Sequence, residues 1–326
     1  MQPSTPAPDR AARIAIALSA LLAAACVGAG PAHAQTTTTT TATTNAAPAT
    51  ESPGSTEEVT PEETPEETSA PTDESKRSKP LRLRLENVAP QQIYFKGSAA
   101  ASFKYEIAGS EERDLVIELV PKGGGEVVQR WTQRNVEPGR AQTQTWGGKK
   151  RGRGDARSGT YLFRVRERGG DLADRKKADG DRSFGYYDHV FPIRGKHNYG
   201  DGIGAHRKGH THQGQDVFAD CGTPLEAARA GKVQFKGYQG SGAGNYVVID
   251  GKGTGRDYVY MHLKGKASVR EGERVRTGQR IGEVGDSGSA TGCHLHFELW
   301  SKPGWYEGGH FMQSVSKQLR KWDRWS

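Results

Sequence analysis

Six of the ten histidines in this 326-residue sequence crowd into two short windows and one position between them: His206, His210 and His212, then His262, then His294 and His296. Neutral imidazole is a favoured zinc ligand, so such crowding points first to metal chemistry. In His212-Gln213-Gly214-Gln215-Asp216 the two donors are four residues apart, about 13 Å on a straight strand. Ligand nitrogens and oxygens sit at about 2.0–2.2 Å from zinc. The backbone must therefore bend between the donors, and Gly214 permits it. A helix would also bring them together, but Gly214 and the Val217-Phe218-Ala219 run argue against one. In His294-Leu295-His296 the imidazoles are two apart, which puts both on one face of a strand. One can bind metal while the other reaches the bound water or substrate. Glu298 continues that face, either holding a ligand's second nitrogen or as a solvated strand residue. Two His and one Asp leave a fourth tetrahedral position open to water, the mark of a catalytic zinc site.

The elements that must carry these residues read as strands. Residues 231–235, 246–250, 258–263, 279–284 and 294–300 are short apolar-rich runs separated by Gly-containing turns, and no long helical period occurs among them. Only the tail from Val315 to Trp325, with Leu319 and Trp322 three apart, predicts one short helix docked on the sheet. Upstream, 102–107, 115–120, 126–131 and 160–165 alternate with period two, predicting a β-sandwich over residues 81–168. The polar stretch 169–190 reads as a linker, and Phe191-Pro192-Ile193 opens the second domain, 191–326. The expected fold class is all-β.

Taken together and in order, Gly209-His210-Thr211-His212-Gln213-Gly214-Gln215-Asp216, Tyr260-Met261-His262-Leu263, Gly285-Asp286-Ser287-Gly288 and Thr291-Gly292-Cys293-His294-Leu295-His296-Phe297-Glu298 resemble the lysostaphin/LytM family of zinc endopeptidases. The resemblance implies an open groove over antiparallel sheet, of the duplicated hybrid motif type. It implies that His212, Asp216 and His296 are the zinc ligands, and that His262 and His294 polarise the water and stabilise the transition state. His210-Thr211-His212 is itself a His-x-His; the family pattern, with Gly two and Asp four after the histidine, selects His212 and leaves His206 and His210 on the groove wall or surface. Zinc would lower the pKa of its bound water toward 7 and polarise the scissile carbonyl. No His-Glu-x-x-His helix is present, so general-base work falls to the imidazoles. The substrate implied is the peptide cross-link of bacterial peptidoglycan. The alternatives are a non-catalytic LytM-like wall binder or amidase activator, although all five positions are filled, and a D-alanyl-D-alanine carboxypeptidase-type enzyme, whose His-to-Asp gap is wider. The stretch around Trp146-Gly147-Gly148 and Gly159-Thr160-Tyr161 resembles the immunoglobulin-like domain of FlgD-type proteins, implying a spacer or wall-binding module.

The ends of the chain bear on where such an enzyme would work. Arg10 and Arg13 precede an apolar run from Ile14 to Val27, and Pro31-Ala32-His33-Ala34 has the small residues a signal peptidase reads, so cleavage after Ala34 and secretion to the cell wall are expected. The run is shorter than the ~20 residues a bilayer span needs. Lipid anchoring through Cys26 is the lesser alternative, since Ala23 stands where a lipoprotein signal favours Leu. From residue 35 to 79 the composition collapses to Thr, Ala, Pro, Ser and Glu, an acidic tether too poor in apolar residues to offset its ordering entropy. The formal charge of +8 conceals a basic body: residues 75–326 hold 44 Lys and Arg against 28 Asp and Glu, a net +16. For an exported protein this suits anionic wall polymers better than nucleic acid. A mean hydropathy of -0.76 excludes a polytopic membrane protein. With the signal removed, Cys221 and Cys293 remain, and a disulfide between them would close a loop of about 72 residues and stabilise by roughly 4 kcal/mol.

Overall fold

Alternation of apolar and polar side chains sets the strands of the first half, seen here in a computed structural model describing residues 79–326 apart from Arg153 and Lys208. The expected export signal, Cys26 and nearly all of the expected acidic tether lie outside the described residues. Ala101, Phe103, Tyr105 and Ile107 all point inward from one strand while Lys104 points out. Eight strands follow one another: β1 (Arg82–Ala89), β2 (Gln92–Tyr94), β3 (Ala101–Ala108), β4 (Arg113–Pro121), β5 (Gln129–Val136), β6 (Gln142–Trp146), β7 (Gly159–Glu167) and β8 (Ser183–Tyr187). They form a three-stranded sheet, β1-β3-β6, and a five-stranded sheet, β2-β8-β7-β4-β5. Both sheets contribute to one apolar core that includes Phe103, Tyr105, Ile117, Trp146, Phe163 and Phe184.

Two strand expectations need correction. Residues 169–190 are not a free linker. Ser183–Tyr187 is β8, paired with both β2 and β7, with Phe184 and Tyr186 in the core. Its four buried residues sit between charged and Gly-rich flanks, which masked the short strand. The strand expected over 126–131 begins at Gln129 and runs to Val136, because its pairing with β4 is what defines it.

The second half is built on a seven-stranded sheet of β9 (Asn198–Tyr199), β12 (Gln215–Phe218), β14 (Gly231–Gln239), β15 (Gly244–Gly251), β16 (Arg256–Leu263), β17 (Arg274–Val275) and β19 (His294–Ser301), in the order β17-β14-β15-β16-β19-β12-β9. Two small pairs flank it, β10 (His206–Arg207) with β11 (His210–Thr211) and β13 (Pro224–Glu226) with β18 (Arg280–Glu283). Every pairing in these sheets is antiparallel. The expected terminal helix is present as α1 (Val315–Asp323), which buries Val315, Leu319 and Trp322. These join Leu295, Phe297 and Leu299 of β19 and Tyr258 and Tyr260 of β16 in a single core.

The two halves touch directly. Thr277 Oγ1 donates to the Phe95 carbonyl at 2.5 Å, and the Arg229 guanidinium lies 3.5 Å over the Phe95 ring. Trp325 stacks on Tyr187 with ring centroids 4.6 Å apart and donates its indole N–H to His189 O.

Candidate metal centre

Strand β19 is buried along nearly its whole length, and its alternation divides it cleanly. Leu295, Phe297 and Leu299 enter the core, so His294, His296, Glu298 and Trp300 share the opposite face. Its neighbour β12 pairs in register with Asp216 opposite His296 and Phe218 opposite His294. This register places Asp216 beside the His-x-His.

The bend expected before Asp216 falls at Gly214. A Cβ there would lie 2.6 Å from Phe297 O and 2.7 Å from His296 Nε2, so only glycine lets the chain pass this close to the histidine. The bend delivers His212 to the same point. His212 Nε2 lies 3.1 Å from Asp216 Oδ1 and 2.8 Å from His296 Nδ1, and His296 Nδ1 lies 2.9 Å from the same oxygen.

His262 arrives by a different device. Tyr258 and Tyr260 enter the core, so continued alternation along β16 would send His262 inward as well. Instead its backbone takes φ +61°, a left-handed conformation uncommon for any residue but glycine. The turn brings its ring to 4.7 Å from His294 and 6.0 Å from His296. Sequence periodicity could not have revealed this, because the redirecting element is a single dihedral.

Each of the four rings spends one nitrogen on an outside acceptor. His212 Nδ1 donates to Gly202 O at 2.8 Å, His262 Nδ1 to Ser287 O at 2.9 Å and His294 Nδ1 to Gly292 O at 2.8 Å. His296 Nε2 donates to Glu298 Oε1 at 2.8 Å, and Trp300 donates to the other oxygen, Oε2, at 2.7 Å. Glu298 is therefore a buried acceptor on the outer nitrogen of His296. In the neutral rings these bonds leave the inner nitrogens as bare lone pairs. Two such lone pairs and a carboxylate oxygen in mutual contact repel one another unless positive charge lies among them. His294 Nε2, buried and without a hydrogen-bond partner, stands 3.7 Å from Asp216 Oδ1.

The electrostatics agree. Burial would raise the Asp216 carboxyl, but the hydrogen bonds to His212 and His296 hold it well below the usual carboxylate range. Burial lowers His296 too, yet Asp216 and Glu298 outweigh it and push that imidazole up to about 9. Burial, reinforced by His294 and His296, pushes His262 down to about 4, so it is neutral at pH 7. Among the described residues, His212, Asp216 and His296 offer three ligand atoms within 4.8 Å of one another, all buried. This donor set of two imidazoles and one carboxylate, with an orphaned imidazole nitrogen beside it, fits a zinc-like divalent cation.

His206 and His210 stand apart, exposed on the β10–β11 pair. Their neighbour Arg207, which sequence spacing did not single out, forms an ion pair with Asp216 Oδ2. Cys221 and Cys293 are joined in a disulfide with a Cα–Cα distance of 5.3 Å, one residue before His294.

The comparison with known proteins turns on this same stretch: residues 210–307 match the model of Peptidase family M23. Less than a third of the chain is therefore similar to a peptidase M23 domain. Glycyl-glycine endopeptidase ALE-1 of Staphylococcus capitis is 41% identical over 91 residues, 28% of this chain and 25% of that protein. Peptidoglycan DD-endopeptidase ShyC of Vibrio cholerae is 44% identical over 90 residues, 27% of this chain and 20% of that protein. The chain thus spans a fifth to a quarter of the length of these curated relatives. The solved catalytic domain of lysostaphin from Staphylococcus simulans is 30% identical, covering 38% of this chain and 92% of that one, with a TM-score of 0.34. His212, Asp216, His262, His294 and His296 all lie within the matched residues.

Proposed function

We propose that the protein is a secreted zinc metalloendopeptidase that hydrolyses peptide cross-links of bacterial peptidoglycan. The observation that carries this reading is the convergence of His212, His294 and His296 on Asp216, with His262 beside His294, within the M23 match, each ring having one nitrogen committed to an outside acceptor. His212, Asp216 and His296 are the assigned ligands, and His262 and His294 the assigned catalytic histidines. The relatives named as endopeptidases support the reaction type, and the one named for peptidoglycan supports the substrate.

Zinc at this centre would supply Lewis-acid polarisation of the scissile carbonyl and acidify a water for attack. The chain's own residues do the rest. His262 and His294 each present a bare Nε2, fixed by an Nδ1–H bond to backbone, and can accept a proton or donate one once charged. Being neutral at pH 7, His262 is ready as an acceptor. Glu298 sets the His296 tautomer so that Nδ1 stays a ligand. Phe218, 5.4 Å from the His294 ring, also lines a cleft of about 880 Å³ with Lys196, His197, Asn198 and Asp220, where a substrate peptide would extend from the histidines. The two-sheet half is assigned as a FlgD-like, immunoglobulin-type spacer, and the basic body as suited to anionic wall polymers.

The test is release of new amino termini from purified peptidoglycan. It should be blocked by a chelator, restored by zinc and absent in His294→Ala. An uncut wall with zinc-loaded protein overturns the reading.

A further inference from the structure

The carboxylate of Asp216 is divided between two environments. Oδ1 faces the inner nitrogens of His212 and His296, and Oδ2 is taken by the Arg207 guanidinium. Arg207 sits in the β10–β11 pair, opposite His210. That pair is tied to the metal centre by more than this contact. His212 N donates to Ala205 O at 3.0 Å, and Gly204 N donates to His212 O at 2.9 Å, so the hairpin base brackets one proposed ligand while Arg207 grips another. A second carboxylate, Asp201 Oδ2, lies 3.3 Å from the same guanidinium nitrogen. The Asp201 backbone carbonyl accepts from Asp216 N at 2.9 Å. Asp201 therefore ties the arginine to the backbone of the same residue whose carboxylate it contacts.

From this geometry we infer that Arg207 is a positioning residue that keeps Asp216 a one-oxygen ligand. The inference rests on the zinc reading above. A carboxylate free at both oxygens can close on an ion with both, taking the position that substrate or water needs. With a guanidinium on Oδ2, only Oδ1 is presented to the ion. The same cation draws charge from the carboxylate and makes it the poorer donor, which leaves the metal the stronger Lewis acid. Guanidinium is suited to this by its permanent charge and weak hydration, which a lysine ammonium does not share.

The experiment compares wild type, Arg207→Ala and Arg207→Lys, each loaded with one equivalent of cobalt(II) in place of zinc. Cobalt is spectroscopically active, and its visible absorption weakens when coordination rises from four to five. Arg207→Ala should load fully yet show a several-fold weaker visible band. Its kcat should fall by about 10–100-fold with KM within about twofold. Arg207→Lys, which keeps a charge on a more strongly hydrated head, should fall between. The side chain is partly exposed on a short hairpin, so loss of the whole fold is not expected, and an unchanged thermal transition checks this. An unaltered cobalt band in fully loaded Arg207→Ala overturns the inference, as does unaltered kcat. Wild type that takes up no cobalt, or cuts no peptidoglycan when loaded, overturns instead the zinc-peptidase reading on which the inference stands.

Discussion

Replacing Glu298 with Gln changes one oxygen to an amide nitrogen and nothing else in shape, yet it should cripple metal binding. Both Glu298 oxygens accept, one from His296 Nε2 at 2.8 Å and one from Trp300 Nε1 at 2.7 Å. A glutamine has only one acceptor to offer, and indole N–H can only donate. If the amide oxygen serves Trp300, the amide N–H₂ faces His296 Nε2 and forces its proton onto Nδ1, the atom that faces His212 and Asp216. If the oxygen serves His296, two buried donors oppose each other at Trp300, at a cost of about 1–3 kcal/mol. Either path should weaken zinc about 10–100-fold, which is about 1.4–2.8 kcal/mol. Competition with a chromophoric chelator at fixed pH measures this directly. Trp300→Phe removes the opposing donor, so the double variant Glu298→Gln/Trp300→Phe should bind zinc more tightly than Glu298→Gln alone. A zinc affinity for Glu298→Gln within twofold of wild type would refute the reasoning, and so would a double variant no better than the single.

Three further outcomes follow from the centre and its surroundings. His294→Ala should lose hydrolysis while zinc content by atomic absorption stays near one per chain, whereas Asp216→Ala should lose both. Metal-free protein should lose stability as pH falls from about 6.5 to about 4, because unfolded His262 takes up a proton that the folded ring refuses until about 4. His262→Gln should show a shallower loss over that window in denaturant titrations, by up to about 3 kcal/mol. Reduction of Cys221–Cys293, which closes a 72-residue span, should cost roughly 4 kcal/mol of stability and lower the melting temperature. An unchanged melting curve in dithiothreitol, with both thiols shown to be free, would count against that figure.

The face that carries the candidate site was legible because its signals are local. His294 and His296 are two apart on one strand, Gly214 marks the bend, and Asp216 follows four after His212. Glu298 could be placed on the right face by the same period, although only the structure shows both its oxygens occupied. What escaped depends on contacts between distant segments or on single backbone angles. Arg207 reaches Asp216 through a hairpin whose sequence reads only as polar. His262, named through the family resemblance and not through periodicity, is turned by one positive φ where alternation alone would send it into the core. Strand β8 gave too short an apolar signal to stand out, since its partners, β2 and β7, lie elsewhere in the chain.

The contacts between the halves carry a consequence for how the molecule comes apart. Ala230, in the segment leading into β14, belongs to the apolar core of the two-sheet half, and Thr277, Arg229 and Trp325 reach across to Phe95 and Tyr187. Neither half can melt without stripping cover from the other. Calorimetry should therefore record one cooperative transition in place of two, and dividing the chain between residues 168 and 183 would leave the β7 edge that β8 now occupies without its partner.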